Sequence, residues 1–335
     1  MTNKIFKVAL VGCGGISGNH LTPLCNMDYI KITSLCDKDI TRAAKKAEEY
    51  SLDCNLYDSF DKMLSLEELD AVHIATPHYL HASMAIAALK KGIHVFLEKP
   101  LCITEAEIEA IIAAEKESSA SLCVCFQNRY NPSTIVAKKL IEEDGGALNA
   151  FATVVWNRSD SYYLDSGWRG KYATEGGGVM INQAIHTIDL LRFIFGIPKN
   201  VIATTSNHTH KSVIEVEDTA EGIIGFESGA KAHFYFTTTF RGADHTSLIF
   251  YTKNHKIEIK SNYVYLDEER IPDQSAADEY LGKACYGNSH GIIIEKFYRA
   301  IINGTAAPVG AKDAGWALKI LLSSYNSTDA YIELS

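Results

Sequence analysis

Residues 8–17 read Val-Ala-Leu-Val-Gly-Cys-Gly-Gly-Ile-Ser, an apolar run followed directly by a glycine-rich turn. This order is typical of a strand that leads into a helix at a dinucleotide site. Gly12 permits the tight turn, and Gly14 lets the backbone approach a pyrophosphate that the helix N-terminus stabilises. Ser17 takes the third glycine position, where its small side chain allows close packing and its hydroxyl can add a phosphate contact. The alternative is a glycine turn with a purely structural role.

Asp37 ends the second predicted strand, 20 residues beyond Ser17. A carboxylate there can accept hydrogen bonds from both hydroxyls of an adenosine ribose, and it would repel a 2′-phosphate. Its neighbour is Lys38 rather than an arginine pair. We therefore expect NAD as the cofactor, with NADP as the alternative.

The first third of the chain alternates short apolar runs with helical patterns, which is the order of a parallel sheet with right-handed crossovers. The apolar runs cover residues 7–11, 31–36, 71–75, 94–97 and 121–126, and the helical patterns cover residues 40–50, 81–91 and 105–118. We predict an α/β Rossmann domain for dinucleotide binding over residues 1–126.

The remaining sequence reads as long alternating strands between helices. The strands cover residues 149–158, 200–208, 219–227, 230–240 and 245–252, and the helices cover residues 133–143, 291–302 and 311–329. We predict a substrate-binding and oligomerisation domain over residues 127–335, an α+β domain with a large, mostly antiparallel open sheet.

The predicted strand over residues 230–240 has few charged side chains on either face. Phe234, Phe236 and Phe240 alternate with His233 and Tyr235. One face is expected to pack on helices of the domain, so the other needs a partner. We therefore expect a homodimer or homotetramer that forms through the sheet.

Composition excludes several classes of protein. The 335 residues correspond to two domains at roughly 150 residues each. With 47% hydrophobic and 22% charged residues, the chain should fold. A net charge of −9 without a compact Lys/Arg run argues against nucleic acid as a partner. No apolar run approaches the roughly 18 residues of a membrane span, and the start lacks a signal-peptide core. We expect a soluble, cytoplasmic protein without a membrane partner.

The cysteines are scattered through apolar segments, which favours reduced core thiols over disulfides or a metal site. They are Cys13, Cys25, Cys36, Cys54, Cys102, Cys123, Cys125 and Cys285. His208 and His210 lie in a polar stretch without a neighbouring cysteine or carboxylate cluster, so we predict no metal site.

A Glu98-Lys99-Pro100 motif ends another buried strand. Pro100 biases Lys99 toward extended geometry and halts the strand ladder, so the ammonium should point outward at the carboxyl end of the sheet. Ligands of doubly wound sheets bind at that edge. The alternative is a surface cation that closes a strand.

These motifs, with Thr76-Pro77-x-x-x-His81, together resemble the glucose-fructose oxidoreductase/inositol dehydrogenase (Gfo/Idh/MocA) family. The resemblance continues through Gln127-Asn128-Arg129-Tyr130-Asn131-Pro132, Trp168-Arg169-Gly170 and Gly176-Gly177-Gly178, and so covers essentially the whole chain. It implies an NAD(P)-dependent oxidoreductase, oligomeric through the second-domain sheet, that acts on a sugar, an inositol or a sugar derivative.

The resemblance also implies which residues touch the cofactor. Lys99 would lie near the nicotinamide ribose and the substrate, and Trp168 and Arg169 would border the cleft that holds both. With the glycine turn, the predicted cofactor-binding set is Gly12, Gly14, Gly15, Ile16, Ser17, Asp37, Thr76, Pro77, His81, Glu98, Lys99, Gln127, Trp168 and Arg169.

A second group of polar residues falls within residues 178–189. Asn182, Gln183 and His186 can share one face if the segment is a continuous helix. The family pattern is Asp-x-x-x-His, with the histidine as the base. Asn182 stands at the acidic position and cannot titrate, so it is expected to hydrogen-bond a substrate hydroxyl instead. Asp189 either orients the imidazole or has an exposed or capping role.

Three further residues are candidates for substrate binding. Arg129 belongs to the Gln127–Pro132 motif. Tyr163, with Tyr162, either flanks a sugar ring or packs in an interface. His290 resembles a substrate contact of some family members, and its alternatives are a helix-start cap or a packed residue.

The predicted reaction is the reversible oxidation of a secondary alcohol on a polyol or sugar. His186 accepts the hydroxyl proton, and Lys99 polarises the carbinol oxygen. One alternative, also known in the family, is redox-neutral glycoside cleavage with tightly held NAD. The other is a non-catalytic NAD(P)-sensing protein, which would not need both Lys99 and His186.

Overall fold

The computed structural model describes residues 4–260, 262–272, 289–327 and 332–334. Its contacts divide the chain into two compact units. The first comprises Met1–Cys102, Ala106–Phe126 and His290–Ala314, and the second comprises Ile103–Glu105, Gln127–Ser289 and Gly315–Ser335.

The predicted boundary at residue 126 is thus one of several crossings between the units. The helix His290–Asn303 belongs with the first unit, because it packs against the first helix of that unit and Tyr298 hydrogen-bonds His73 within the same core. A single domain boundary in the sequence cannot describe this arrangement, because the chain re-enters the first unit at His290.

The first unit is built on a six-stranded parallel sheet in the order β3-β2-β1-β4-β5-β6. Its strands are β1 (Phe6–Val11), β2 (Ile30–Cys36), β3 (Asn55–Tyr57), β4 (Ala71–Ile74), β5 (His94–Leu97) and β6 (Leu122–Val124). Its helices are α1 (Ser17–Cys25), α2 (Ile40–Glu49), α3 (Phe60–Leu66), α4 (His81–Lys90), α5 (Glu105–Glu117, whose first residue belongs to the second unit) and α10 (His290–Asn303). Strand β4 is buried throughout, as expected for a parallel sheet covered on both faces. The predicted Rossmann architecture is confirmed.

The second unit carries a nine-stranded sheet in the order β14-β13-β12-β11-β7-β10-β9-β8-β15. The strands are β7 (Asn149–Val155), β8 (Pro198–Ser206), β9 (Thr219–Phe226), β10 (Lys231–Thr237), β11 (His245–Tyr251), β12 (Lys256–Lys260), β13 (Tyr263–Leu266), β14 (Glu269–Arg270) and β15 (Ile332–Glu333). The helices are α6 (Pro132–Glu143), α7 (Asp160–Leu164), α8 (Val179–Asn182), α9 (Ile185–Phe195) and most of α11 (Ala311–Asn326).

This sheet is mostly antiparallel, as predicted, but β7 and β10 pair in parallel at its centre. Residue alternation specifies which face a side chain takes and not the direction of the neighbouring strand, so the sequence did not reveal this pair. On β10, Phe234 and Phe236 are buried, whereas Tyr235 is 41% exposed. Phe151 of β7 is 48% exposed and stacks on His233. The sheet therefore has one buried face and one aromatic, exposed face.

Among the described residues, no helix combines the length and the apolar character needed to cross a membrane. Seven of the predicted thiols fall in the described ranges and are free cysteines. Cys285 lies outside the described residues.

Candidate active site

The glycine turn of the first unit is shaped as a phosphate cradle. Gly12 has a φ of +92°, and a Cβ at this position would lie 2.3 Å from the carbonyl oxygen of Ala75, so only glycine fits. Added Cβ atoms at Gly14 and Gly15 would meet nothing within 4 Å. The turn therefore leaves open backbone directly before α1, the arrangement that accommodates a pyrophosphate.

Asp37 is held against this turn. Its Oδ2 accepts a hydrogen bond from the backbone N–H of Cys13 at 2.9 Å, and its Oδ1 accepts one from Asp39 N–H at 2.9 Å. The carboxylate thus sits beside the turn at the end of β2, where the sequence placed it.

Ser17 has a different role from the predicted one. Its hydroxyl is buried and donates to the carbonyl oxygen of Gly14 at 2.6 Å, so it closes the turn internally and is not directed at a phosphate. The small side chain still allows the close packing expected at this position.

His81 is a structural residue rather than part of the cofactor surface. It is completely buried, with Nδ1 2.6 Å from the carbonyl oxygen of Pro100 and Nε2 2.9 Å from that of Thr76. Burial lowers the pKa of His81. A neutral imidazole carries one N–H, so the ring lies between the segments after β4 and β5 and donates to one of these two carbonyl oxygens. Thr76 and Pro77 remain partly exposed at the sheet edge.

Glu98 ends a chain of buried polar side chains. Its Oε1 lies 3.1 Å from His20 Nε2, His20 Nδ1 lies 3.0 Å from His73 Nδ1, and His73 Nε2 lies 3.0 Å from Tyr298 Oη. Burial alone would raise the pKa of Glu98, but hydrogen bonds from His20 and His290 hold it well below its usual value. Burial also keeps the pKa of His73 well below its ordinary value. With Glu98 ionised and His73 neutral, each hydrogen bond in this chain of side chains can pair one donor with one acceptor.

His290 begins α10 and is buried against Glu98, with Nε2 3.6 Å from Oε1. This position corresponds to the packed alternative for His290 and not to the predicted substrate contact. Donor atoms of Glu98, Cys125 and His290 lie within 4.8 Å of one another, a spacing that a metal ion could use. Because Glu98 already accepts from His20, we interpret the group as a hydrogen-bonded network.

Lys99 follows this network directly. Its backbone N–H donates to Oε2 of Glu98 at 3.2 Å, and the residue is partly exposed just beyond β5. The buried carboxylate therefore fixes the backbone from which the Lys99 ammonium extends, at the carboxyl end of the parallel sheet.

The second unit holds the remaining predicted residues, but not on one continuous helix. Helix α8 ends at Asn182, and α9 begins at Ile185. The N–H of Ala184 bonds the carbonyl oxygen of Val179, five residues earlier, which widens the turn between them. The predicted i, i+4 alignment of Asn182 with His186 is therefore interrupted. His186 is buried in the first turn of α9.

Two amides converge on the phenol of Tyr162, the neighbour of the predicted Tyr163. Asn182 Nδ2 and Gln183 Nε2 donate to the hydroxyl of Tyr162 at 3.2 and 3.1 Å. The guanidinium of Arg169 stacks 4.3 Å from the Tyr162 ring centroid and 5.0 Å from that of Trp168. This cluster joins predicted residues and their neighbours into one partly buried polar group within the second unit.

Tyr163 lies in the core instead. It is 4% exposed, packs with Ile214 and Val216, and its hydroxyl is 3.2 Å from Thr238 Oγ1. Tyr162 therefore replaces Tyr163 as the candidate to contact a sugar.

Arg129 is also structural. Its Nε and one terminal nitrogen donate to the two oxygens of Asp189 at 2.8 and 2.6 Å, and both residues are almost fully buried. The Arg129 guanidinium therefore binds Asp189, and the prediction that Arg129 contacts the substrate is not supported. This bidentate pair also shows Asp189 to be neither exposed nor a cap. Gln127, in a 3-10 turn (Gln127–Tyr130), is buried in the same unit.

Two buried glutamates were not predicted. Glu175 accepts from Asn182 Nδ2 and from the backbone N–H of Gly170. Glu217 accepts from the backbone N–H groups of Gly178 and Met180 at 2.9 and 3.0 Å, and thereby anchors the start of α8. A Cβ on Gly178 would lie 1.8 Å from the Glu217 carbonyl oxygen. A charged residue directly before three glycines was the available signal for Glu175.

Comparison with known proteins relates both units to one family. Residues 6–126 match the family model described as "Oxidoreductase family, NAD-binding Rossmann fold". Residues 136–258 match the model described as "GFO/IDH/MocA C-terminal domain".

Individual relatives include dehydrogenases of sugars. The D-apiose dehydrogenase of Paraburkholderia graminis is 32% identical over 232 residues, a match that covers 68% of this chain and 59% of that protein. The levoglucosan dehydrogenase of Pseudarthrobacter phenanthrenivorans is 26% identical over 309 residues, covering 85% of this chain and 74% of that protein. The chain thus spans less than two thirds of the first relative.

A solved structure matches over the full length. The WlbA dehydrogenase from Bordetella pertussis, crystallised with NADH and UDP-GlcNAcA, superposes with a TM-score of 0.88 at 25% identity and covers 100% of this chain and 99% of that one.

Proposed function

Since this chain belongs to the Gfo/Idh/MocA oxidoreductase family, we propose that it is an NAD-dependent dehydrogenase that reversibly oxidises a secondary hydroxyl of a sugar, an inositol or a sugar derivative. The observation that carries the proposal is the union, in one chain, of an open glycine turn anchored by Asp37 with the amide and phenol cluster of Asn182, Gln183 and Tyr162. Amides and phenols both donate and accept, which suits a substrate rich in hydroxyl groups.

NAD, when bound, supplies the hydride acceptor. The residues that would hold it are the glycine turn and Asp37. In the proposed reaction the ammonium of Lys99 donates a hydrogen bond to the carbinol oxygen, and the imidazole of His186 accepts the hydroxyl proton.

A substrate screen tests this function. Sugars, inositols, glycosides and nucleotide sugars are each incubated with the protein and NAD, and formation of NADH is followed by absorbance. NADH formation with a polyol or sugar supports the dehydrogenase. Cleavage of a glycoside without net NADH formation identifies the redox-neutral reaction instead, and saturable NAD binding without turnover of any compound favours a sensor.

We predict that the protein binds NAD more tightly than NADP, because Asp37 would face the 2′-phosphate with like charge. Asp37→Asn keeps an acceptor for the Cys13 N–H but removes the charge, so it should reduce the preference by roughly tenfold. Fluorescence titration with both cofactors measures this, with Asp61→Asn, on α3, as the control. Equal affinity of the unaltered protein for the two cofactors would make the NAD assignment wrong.

We also propose that the exposed aromatic face of the second-unit sheet is the contact between subunits. Phe151 and Tyr235 on this face are about half exposed, and an uncovered apolar patch of this kind marks an interaction surface. Phe151→Asp combined with Tyr235→Asp should convert a dimer or tetramer to monomers in sedimentation velocity. Leu66→Asp, at an exposed apolar site on α3, should leave assembly unchanged. An unaltered protein that is monomeric at micromolar concentration would refute the proposal.

A further inference from the structure

Glu175 places a carboxyl group beside Asn182, the position at which the family pattern has an aspartate. The residue is 1% exposed. One of its oxygens accepts from the Gly170 N–H and the other from Asn182 Nδ2, both at 2.5 Å. The acid of the family pattern is absent at residue 182, but a buried acid contacts that residue directly.

When Glu175 is ionised, the polarity of these contacts determines which way the Asn182 amide faces. An ionised carboxylate only accepts hydrogen bonds, so the group that Asn182 turns toward Glu175 must be its NH₂. The same nitrogen lies 3.2 Å from the hydroxyl of Tyr162. The two hydrogens are therefore directed at Glu175 and Tyr162, and the carbonyl oxygen Oδ1 lies on the opposite arm of the amide.

We propose that Glu175 is a positioning residue: when ionised, it holds Asn182 so that Oδ1 is presented as the acceptor for a substrate hydroxyl, and when protonated it reverses that amide. This inference rests on the proposed dehydrogenase function. A protonated Glu175 can donate to Oδ1, and the NH₂ of Asn182 then takes the opposite arm and offers a donor where the substrate hydroxyl needs an acceptor.

The charges around Glu175 place this change within the physiological range. Burial raises the pKa of Glu175 to about 7, opposed by its hydrogen bonds and by the positive charge of Arg169, while the nearby Glu217 adds to the increase. Tyr162 and Tyr163 also feel the Glu175 charge, but burial raises the pKa of each, so both stay neutral. Above about pH 7 Glu175 is ionised and the acceptor orientation of Asn182 prevails.

This arrangement changes what restoring the family's aspartate would do. Asn182→Asp alone would bring a half-buried carboxyl group within hydrogen-bonding distance of the buried Glu175, and one of the two would have to stay protonated. Exchanging the two groups, Glu175→Gln with Asn182→Asp, avoids the conflict. In that double variant the carbonyl of the introduced glutamine would accept from the Gly170 N–H. Its NH₂ would donate to the introduced carboxylate, which again presents an acceptor.

The first experiment needs no substrate. Infrared spectra of the full-length protein are recorded from about pH 5 to 9, and the carbonyl stretch of protonated carboxyl groups is followed. The unaltered protein should show a buried carboxyl band that titrates near pH 7, and Glu175→Gln should remove one such component while Glu217 retains its own. A band that Glu175→Gln leaves unchanged overturns the proposal, whether or not any substrate is known.

The second experiment uses the substrate found by the screen. Glu175→Gln should lower kcat/KM by roughly tenfold or more, because Asn182 would then present a donor to the substrate hydroxyl instead of an acceptor. The acid limb of the pH–rate profile of this variant should show one ionisation fewer than that of the unaltered protein. The exchange variant should recover most of that loss, whereas Asn182→Asp alone should not. An unchanged pH profile in Glu175→Gln, or an exchange variant no better than either single one, overturns the proposal. Circular dichroism establishes that each variant is folded.

Discussion

Replacing Lys99 or His186 by alanine is expected to lower turnover by roughly 100-fold or more while NAD affinity stays within a few-fold. Lys99 extends from a backbone fixed by Glu98, and His186 stands in the first turn of α9. In the proposed reaction both act on the substrate hydroxyl, so their loss should affect chemistry and not cofactor binding. Steady-state kinetics and fluorescence titration with NAD separate the two effects.

Two control variants sharpen this test. Lys99→Arg keeps the positive charge but should also be impaired, because a planar guanidinium cannot replace a compact ammonium donor. Lys91→Ala, at an exposed lysine just after α4, should behave as the unaltered protein. Normal turnover in both Lys99→Ala and His186→Ala would mean that the two residues are structural and that the proposed mechanism is wrong.

Arg129→Ala should destabilise the protein by about 3–5 kcal/mol, because it leaves Asp189 buried without its bidentate partner. Denaturant unfolding measures the loss. A substrate-binding arginine would instead raise KM and leave the free energy of unfolding nearly unchanged. The two interpretations of Arg129 therefore differ in which quantity changes.

The matched double variant Arg129→Met with Asp189→Leu removes both charges and should recover most of the lost stability. Arg299→Ala, in the exposed pair with Glu295, should leave the unfolding free energy nearly unchanged. If Arg129→Ala proves as stable as Arg299→Ala, the structural interpretation of the buried pair fails.

The buried partners explain why several sequence-based assignments changed. The prediction for Tyr163 rested on its aromatic ring, that for His81 on a family motif, that for His290 on resemblance to a substrate contact of some family members, and that for Arg129 on a second family motif. The structure directs those side chains to Thr238, to two backbone carbonyls, to Glu98 and to Asp189. Family motifs include residues that support a site as well as residues that touch its ligands, and the motif alone does not distinguish the two roles.

The Rossmann unit, the position of its glycine turn and Asp37, and the α+β character of the second unit could all be predicted from the amino-acid sequence. These follow from local properties: the freedom of Gly12 to take a positive φ, the burial of short apolar runs, and the alternation of side chains along strands. Each of these properties depends only on residues that are close together in the sequence.

Three features could not be predicted from the sequence and became visible in the folded chain: the direction of β10 against β7, the placement of α10 with the first unit, and the pairing of buried polar groups. Glu98 meets His20 and His73 meets Tyr298 across 78 and 225 residues of chain. Glu175 meets Asn182 across the three-glycine turn, which bends the chain back on itself. A buried polar side chain must find a partner, but which partner it finds depends on how distant segments pack, and no local pattern encodes that choice.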